Sequence, residues 1–307
     1  MKIQYSQLNK FLEQGYCSLG EIINQQKCRE LLEFIKQTRD FEHGLFIEEE
    51  DFRANPQYTG VNPCPGRNIL EGLDLSFIEQ NPVLQSVLSE LLGEEYSVVI
   101  KKVICGVPKK WIPDWALLEI DRLPVPNLGA FIKPQYRDIT YFHGIDFHQD
   151  IIDYKNRLSD FITLYIYLDD VSELDSPLFI IPGSHIFGAT TFPHSLISCG
   201  DASNSWLYSD NRGKSKFLQS NILTGTAGST WFWHSCLLHG TQPTKLSQSR
   251  ISLRYIIEKS RSSPSVLLDY VNSNLDGPLS LDNTRNDLNE NGKSILRGNI
   301  INGNAKT

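Results

Sequence analysis

His148 and Asp150, two positions apart in Asp146-Phe147-His148-Gln149-Asp150, are the first chemical signal in the chain. On a strand, an imidazole and a carboxylate at that spacing project from one face. They supply two of the three protein ligands of a 2-His-1-carboxylate triad, which leaves three positions of an octahedral Fe(II) open. The pattern alone recurs by chance, and a single histidine is more often an ordinary hydrogen-bonded or exposed imidazole. A third ligand must therefore come from another strand. The stretch Trp231-Phe232-Trp233-His234-Ser235-Cys236-Leu237-Leu238-His239-Gly240 offers two candidates, His234 and His239. Five residues separate them, so on a strand they face opposite sides.

His239 is followed by Gly240 and Thr241, and eleven residues after it Arg250 opens the run Ile251 to Ile257. A hairpin at that spacing brings a guanidinium beside the metal strand. Arginine suits a bidentate hold on a carboxylate, and the Thr241 hydroxyl can add a third hydrogen bond. The implied ligand is a dicarboxylate whose other end chelates iron, a description that 2-oxoglutarate fits. Arg254 shares the orientation of Arg250 and is its rival for the carboxylate. Trp231 and Trp233 share a face, as core or as pocket wall. His143 and Asp146 either line a substrate pocket or cap a loop.

The elements that must position these residues are legible from periodicity. Apolar residues recur at helical spacing from Tyr5 to Leu12 and from Asn24 to Thr38, where Cys28, Leu31, Leu32 and Ile35 form one stripe. A further helix is predicted over Asn81 to Leu92, stopped by Gly93. Gly15 to Leu19 reads as a strand entering the main sheet. From Tyr96 the pattern turns to short β runs: Tyr96 to Ile100, Phe161 to Leu168, Leu178 to Ile181, Ser229 to Trp233 and Ile251 to Ile257. Helices first and strands after predict a mainly β core with a helical N-terminal layer. Pro124 to Tyr141 reads as a long loop before the His148 strand, a candidate lid or binding loop. From residue 261 onward a peripheral, partly mobile tail is expected.

In order and spacing, residues 8 to 258 resemble the phytanoyl-CoA dioxygenase family of Fe(II)- and 2-oxoglutarate-dependent oxygenases. The resemblance rests on Phe11 to Tyr16, on His148 to Asp150, on Leu168-Asp169-Asp170, on Ser176 to His185, and on His239-Gly240-Thr241 with Arg250. It implies a double-stranded β-helix, a jelly-roll, cupin-like barrel with the metal at its mouth and flanking α-helices. It assigns His148, Asp150 and His239 to iron, and Arg250 with Thr241 to the distal carboxylate of 2-oxoglutarate. Lys133 resembles a cosubstrate-contacting lysine of some members. Asp175-Ser176 stands where the family has Asn-Gly before Pro-Leu, a change that alters a turn more than the chemistry. The expected organisation is one domain over 1–307: a helical layer over 1–95, a β-helix over 96–260 and the tail over 261–307.

The activity so implied is oxidation, chiefly hydroxylation, of an unactivated C–H bond of a small molecule, with O2 consumed and succinate and CO2 released. Natural-product intermediates or amino acid derivatives are the expected substrates. An acyl-CoA needs sites for several phosphates, and Lys101-Lys102, Lys109-Lys110 and Arg137 are only scattered candidates. Arg137, with His143, Asp146 and Trp231, is instead an expected substrate contact. A non-catalytic barrel would be expected to lose a ligand or the arginine, and a zinc hydrolase would leave Arg250 unused.

Composition sets the remaining bounds. With 307 residues, 40% hydrophobic and 21% charged, the chain can bury a sizeable core. Its 29 basic and 36 acidic residues give a net charge of −7 with no basic, aromatic-laced patch, so nucleic acid is not an expected partner. No run approaches the roughly 20 apolar residues of a membrane span. Six widely spaced cysteines read as reduced, mostly buried thiols, and the expected location is the cytoplasm.

Overall fold

The stretch Asn24 to Thr38 shows how this sequence makes its elements. A helix spans Gln25–Gln37, the second of the chain (α2), and Asn24 caps it by accepting from the Lys27 amide at 3.0 Å. Its stripe of Cys28, Leu31, Leu32 and Ile35 is buried. The computed structural model describes residues 5–55, 67–120, 127–199, 204–241, 248–262 and 266–288. Before α2 come α1 (Tyr5–Gln14) and β1 (Tyr16–Glu21); after it come α3 (Glu49–Ala54), α4 (Ser76–Glu79) and α5 (Pro82–Leu92). Asn81 caps α5 with Pro82 in its first turn, and Gly93 ends it at φ 90°, where a Cβ would be strained.

Strands then dominate: β2 (Ser97–Gly106), β3 (Thr140–Phe142), β4 (Ile145–His148), β5 (Phe161–Tyr167), β6 (Leu178–Ile180), β7 (Ser195–Ser198), β8 (Ser205–Ser209), β9 (Ser215–Gln219), β10 (Asn221–Leu223), β11 (Ser229–His234), β12 (His239–Thr241) and β13 (Arg250–Glu258), with α6 (Asp114–Ile120) after β2 and α7 (Leu267–Ser273) after β13. Among the described residues they form a six-stranded sheet in the order β1-β11-β5-β13-β2-β3, a four-stranded sheet β10-β6-β12-β4 and a three-stranded meander β7-β8-β9. The fold is the expected mainly β jelly-roll.

Strand alternation divides the six-stranded sheet into two faces. Val103, Cys105, Ile162, Leu164, Ile166, Phe232, Ile251, Leu253 and Tyr255 pack against the helices in one core. Ile104, Tyr165, Tyr167, Trp231 and Trp233 face the other way and meet Leu178, Ile180 and Leu223 of the four-stranded sheet, which makes the barrel interior.

Two expectations differ from what the chain does. The described part of the Pro124 to Tyr141 loop, from 127 onward, folds as two 3-10 turns (Gly129–Phe131 and Pro134–Tyr136) and enters β3. Phe131 and Ile132 are buried in the helix-side core, so apolar burial ties this stretch down. Residues 124–126 lie outside the described residues.

The tail is packed, not peripheral, through residue 287. Leu268 and Val271 of α7 join the helix-side core. Beyond it, the Ala189 and Phe192 amides donate to Pro278 O at 2.8 Å and Thr284 O at 2.9 Å, and Asp287 is fully buried. Its Ser, Asn and Asp residues have no period because they pair their backbone with a loop. Residues 289–307 lie outside the described set. No described helix is long and apolar enough to cross a membrane.

Candidate metal centre

His148 ends β4, and β12 lies beside it in antiparallel register, with His239 directly opposite. Gly240 makes that approach feasible: a Cβ there would lie 2.6 Å from Ile145 O. Asp150 lies past the strand end, where a 3-10 turn (Asp150–Asp153) begins, yet it converges with both histidines. The intervening Gln149 holds this bend. Its Nε2 donates to Gly188 O at 2.9 Å and Cys236 O at 2.8 Å, and its Oε1 accepts from the Thr190 amide at 2.9 Å.

The candidate ligand atoms of His148, Asp150 and His239 all lie within 4.8 Å of one another. His148 Nδ1 lies 2.9 Å from Asp146 O, and His239 Nδ1 lies 3.0 Å from Leu237 O. A carbonyl only accepts, so each Nδ1 carries the proton and each Nε2 offers a lone pair for a metal. Burial pushes the His239 imidazole down to about 3 and also lowers His148, so both are neutral at neutral pH.

Asp150 is held by three donors: Thr163 Oγ1 at 2.6 Å and Trp233 Nε1 at 2.9 Å, both to Oδ2, and Arg254 Nη2 to Oδ1. Burial alone would raise its pKa. The positive charge of Arg254, aided by the Thr163 hydrogen bond, holds it well below the usual carboxylate range. Two neutral imidazoles and one ionised carboxylate form a donor set that suits a divalent first-row metal.

Arg250, opposite Gly106 of β2, is 4% exposed, and its Nε and Nη1 meet no hydrogen-bond partner among the described residues. Its guanidinium lies 5.8 Å from the Tyr165 ring centroid. Ser252, two residues along β13 and on the same interior face, has a buried, unpartnered Oγ, and so does the Tyr165 hydroxyl. Buried donors without acceptors cost about 1–3 kcal/mol each. A carboxylate entering this chamber would satisfy them, so the residues present fit both a metal and a dicarboxylate.

Thr241 is buried on β12, and Trp231 packs on Tyr167 with ring centroids 4.7 Å apart. Asp146 is fully buried beside His148, and its carbonyl orients that ring. His143 Nδ1 is tethered to Val107 O at 2.9 Å, at the end of β2. Arg137 Nε donates to Ile132 O at 2.8 Å, within the helix-side layer. Lys133 sits in that layer too, its amide bonded to Leu45 O, and makes no hydrogen bond or ion pair with the three ligand residues or Arg250. His234 faces away and meets Asn272 Oδ1 at 2.9 Å, while His185 packs against it and bonds Leu12 O at 3.1 Å.

Sequence reasoning missed Thr163, Trp233, Gln149, Ser252 and the contact of Arg254 with Asp150. Ser252 and Arg254 had a signal, their even offsets from Arg250, which place them on its face of β13.

Residues 137–252 match the model of the family described as Phytanoyl-CoA dioxygenase (PhyH). Over that stretch the chain is similar to the phytanoyl-CoA dioxygenase family of Fe(II)/2-oxoglutarate oxygenases. The family match and the His148-Asp150-His239 cluster support an iron-dependent dioxygenase. A curated relative, the "Probable alpha-ketoglutarate-dependent hypophosphite dioxygenase" of Stutzerimonas stutzeri, is 28% identical over 260 residues, which cover 82% of this chain and 76% of the relative. Two solved structures share the fold with TM-scores of 0.50. One is the epimerase SnoN in complex with Fe3+, alpha ketoglutarate and nogalamycin RO, 11% identical and covering 91% of this chain and 96% of its own. The other is EvdO2 from Micromonospora carbonacea var. aurantiaca complexed with 2-oxoglutarate, 13% identical and covering 87% and 96%.

Proposed function

We propose that the chain hydroxylates an unactivated C–H or comparable bond of a small molecule, with His148, Asp150 and His239 holding Fe(II) and Arg250, with Ser252 and Thr241, holding the distal carboxylate of 2-oxoglutarate. The carrying observation is that a His-Asp-His cluster, with Asp150 and His239 buried and His148 half-buried, shares the barrel interior with a buried arginine whose Nε and Nη1 lack partners among the described residues. Iron with 2-oxoglutarate and O2 supplies the oxidation and releases succinate and CO2. The protein fixes the ligand geometry: two backbone carbonyls set the imidazole tautomers, and Thr163 and Trp233 pin one oxygen of Asp150 so that the other faces the histidines. The cluster and the arginine chamber lie in one barrel, which supports reading 1–307 as a single working unit.

A small substrate suits the basic residues better than a CoA thioester. Lys101 pairs with Glu79 at 2.7 Å, Arg137 is buried in the helix-side layer, Lys109 and Lys110 lie in an exposed turn, and Lys102 alone of these candidates faces the barrel interior, so they do not converge on a site for the several phosphates of a CoA. The curated relative is named for hypophosphite, which is also small.

Anaerobic titration with Fe(II) and then 2-oxoglutarate tests the reading. The visible charge-transfer band of a 2-oxoglutarate chelate is expected, and a folded, iron-loaded protein without it would sink the proposal.

A further inference from the structure

The barrel interior carries two basic side chains beyond those that iron and 2-oxoglutarate require. Lys102 of β2 lies directly across from Arg254 of β13, Arg254 across from Tyr165 of β5, and Tyr165 across from Trp231 of β11. Directly opposed residues share a face, with Cβ atoms about 4.5–5.5 Å apart. The four therefore form one row on the interior face, and Arg254 in that row touches the metal-site carboxylate of Asp150.

Lys102 differs from its neighbour in sequence. Lys101 points to the helix side, where Glu79 pairs with it at 2.7 Å. Lys102 points inward, is half-buried, and forms no hydrogen bond or ion pair among the described residues. Burial, then the field of Arg254, pushes its ammonium down to about 8, which still leaves it mostly protonated at neutral pH. Arg254 makes no other hydrogen bond among the described residues, so most of its five donors are uncommitted. Like charges placed directly opposite each other destabilise a sheet.

Iron and its cosubstrate do not relieve that repulsion. A divalent metal, the Asp150 carboxylate, dianionic 2-oxoglutarate and the Arg250 guanidinium cancel one another. The charges of Lys102 and Arg254 then remain. Asp153, whose field reaches both Lys102 and Arg254, has a side chain 57% exposed and lies 3.6 Å from Arg285.

The geometry points to an anion subsite formed by Lys102 and Arg254 beside the metal, so that the molecule oxidised carries an oxyanionic group, a carboxylate or a phosphorus oxyanion. This rests on the dioxygenase reading and specifies the substrate class within it. An oxyanion there would bridge the two cations and place the rest of a small substrate against the iron.

The test uses the full-length protein, anaerobic and loaded with Fe(II) and 2-oxoglutarate. Acetate, methylphosphonate and hypophosphite are titrated separately, with acetamide as the neutral counterpart, while the charge-transfer band is followed. At least one oxyanion is expected to perturb the band at a concentration at least about tenfold below that of acetamide, and which one responds separates carboxylate from phosphorus chemistry. Lys102→Met should weaken that response about tenfold or more while Fe(II) and 2-oxoglutarate binding hold, and Lys102→Arg should restore most of it. A normal band that acetamide perturbs as readily as the anions, or an unchanged response in Lys102→Met, overturns the subsite alone. A band that never forms removes the dioxygenase reading and the subsite with it.

Discussion

Arg254 donates to Oδ1 of Asp150, and that same oxygen lies 3.6 Å from His239 Nε2. The one carboxylate oxygen positioned to meet a cation is thus already neutralised by a protein cation. An unpaired ionised carboxylate at 1% side-chain exposure would cost several kcal/mol.

Asp150→Ala removes both a ligand and the partner of Arg254. Stoichiometric Fe(II) binding should be lost and succinate formation should fall to background. Iron content by metal analysis and succinate release check both, and wild-type turnover would remove Asp150 from the ligand set.

Arg250→Ala should leave Fe(II) binding intact and raise KM for 2-oxoglutarate by roughly 30- to 150-fold, the loss of a charge-assisted pair worth about 2–3 kcal/mol. Arg250→Lys should recover little, since an ammonium cannot reproduce the planar fork. Ser252→Ala removes one neutral donor and should cost about tenfold or less. A KM for 2-oxoglutarate that Arg250→Ala leaves unchanged would relocate the cosubstrate.

Gly240→Ala drives a methyl into the β4 backbone, with Ile145 O at 2.6 Å and Phe147 N at 3.1 Å from the new Cβ. The strands must part, and His239 moves with them. Metal affinity should fall at least about tenfold while most secondary structure survives, since disturbing the groups that hold a ligand in place typically costs about 10- to 100-fold. Metal titration with circular dichroism decides it; unaltered affinity would mean that the strands need not be this close.

Acid should destabilise the fold through histidines outside the metal cluster. Burial pushes His185 and His194 down to about 3 and His234 to about 4, from 6.5. Their folded pKa values lie below the unfolded ones, so their contribution is fully present above about pH 6.5. As pH falls below that value the unfolded chain binds protons first, and stability drops by up to about 1.4 kcal/mol per pH unit for each histidine. Urea midpoints for metal-free protein at pH 7 and pH 5 should separate clearly; coincident midpoints would contradict the burial.

The metal ligands and Arg250 were legible because their chemistry shows in type and spacing along one or two strands. The same holds for α2, where capping Asn24 and the Cys28-Leu31-Leu32-Ile35 stripe are local features. Thr163 and Trp233 were not legible as holders of Asp150, since that role depends on β5 and β11 becoming neighbours across more than 60 residues. Lys102 was hidden for a similar reason: only register with Arg254 distinguishes it from Lys101. The packed stretch through Asp287 escaped notice because backbone pairing with residues 186–192 leaves no apolar period.

Strand order has a consequence for how the protein is made. β1, at residues 16–21, pairs with β11, at residues 229–234, so it leaves the ribosome with no partner until more than two hundred residues later. At roughly 5–20 residues per second, that interval is about ten to forty seconds. β5 waits as well, because both of its neighbours, β11 and β13, are synthesised after it. Nascent chains therefore carry open strand edges through most of translation, which exposes them to aggregation before the barrel can close. Slower synthesis at lower temperature, or a chaperone that shields the N-terminal third, should raise the soluble yield more than any change at the metal site.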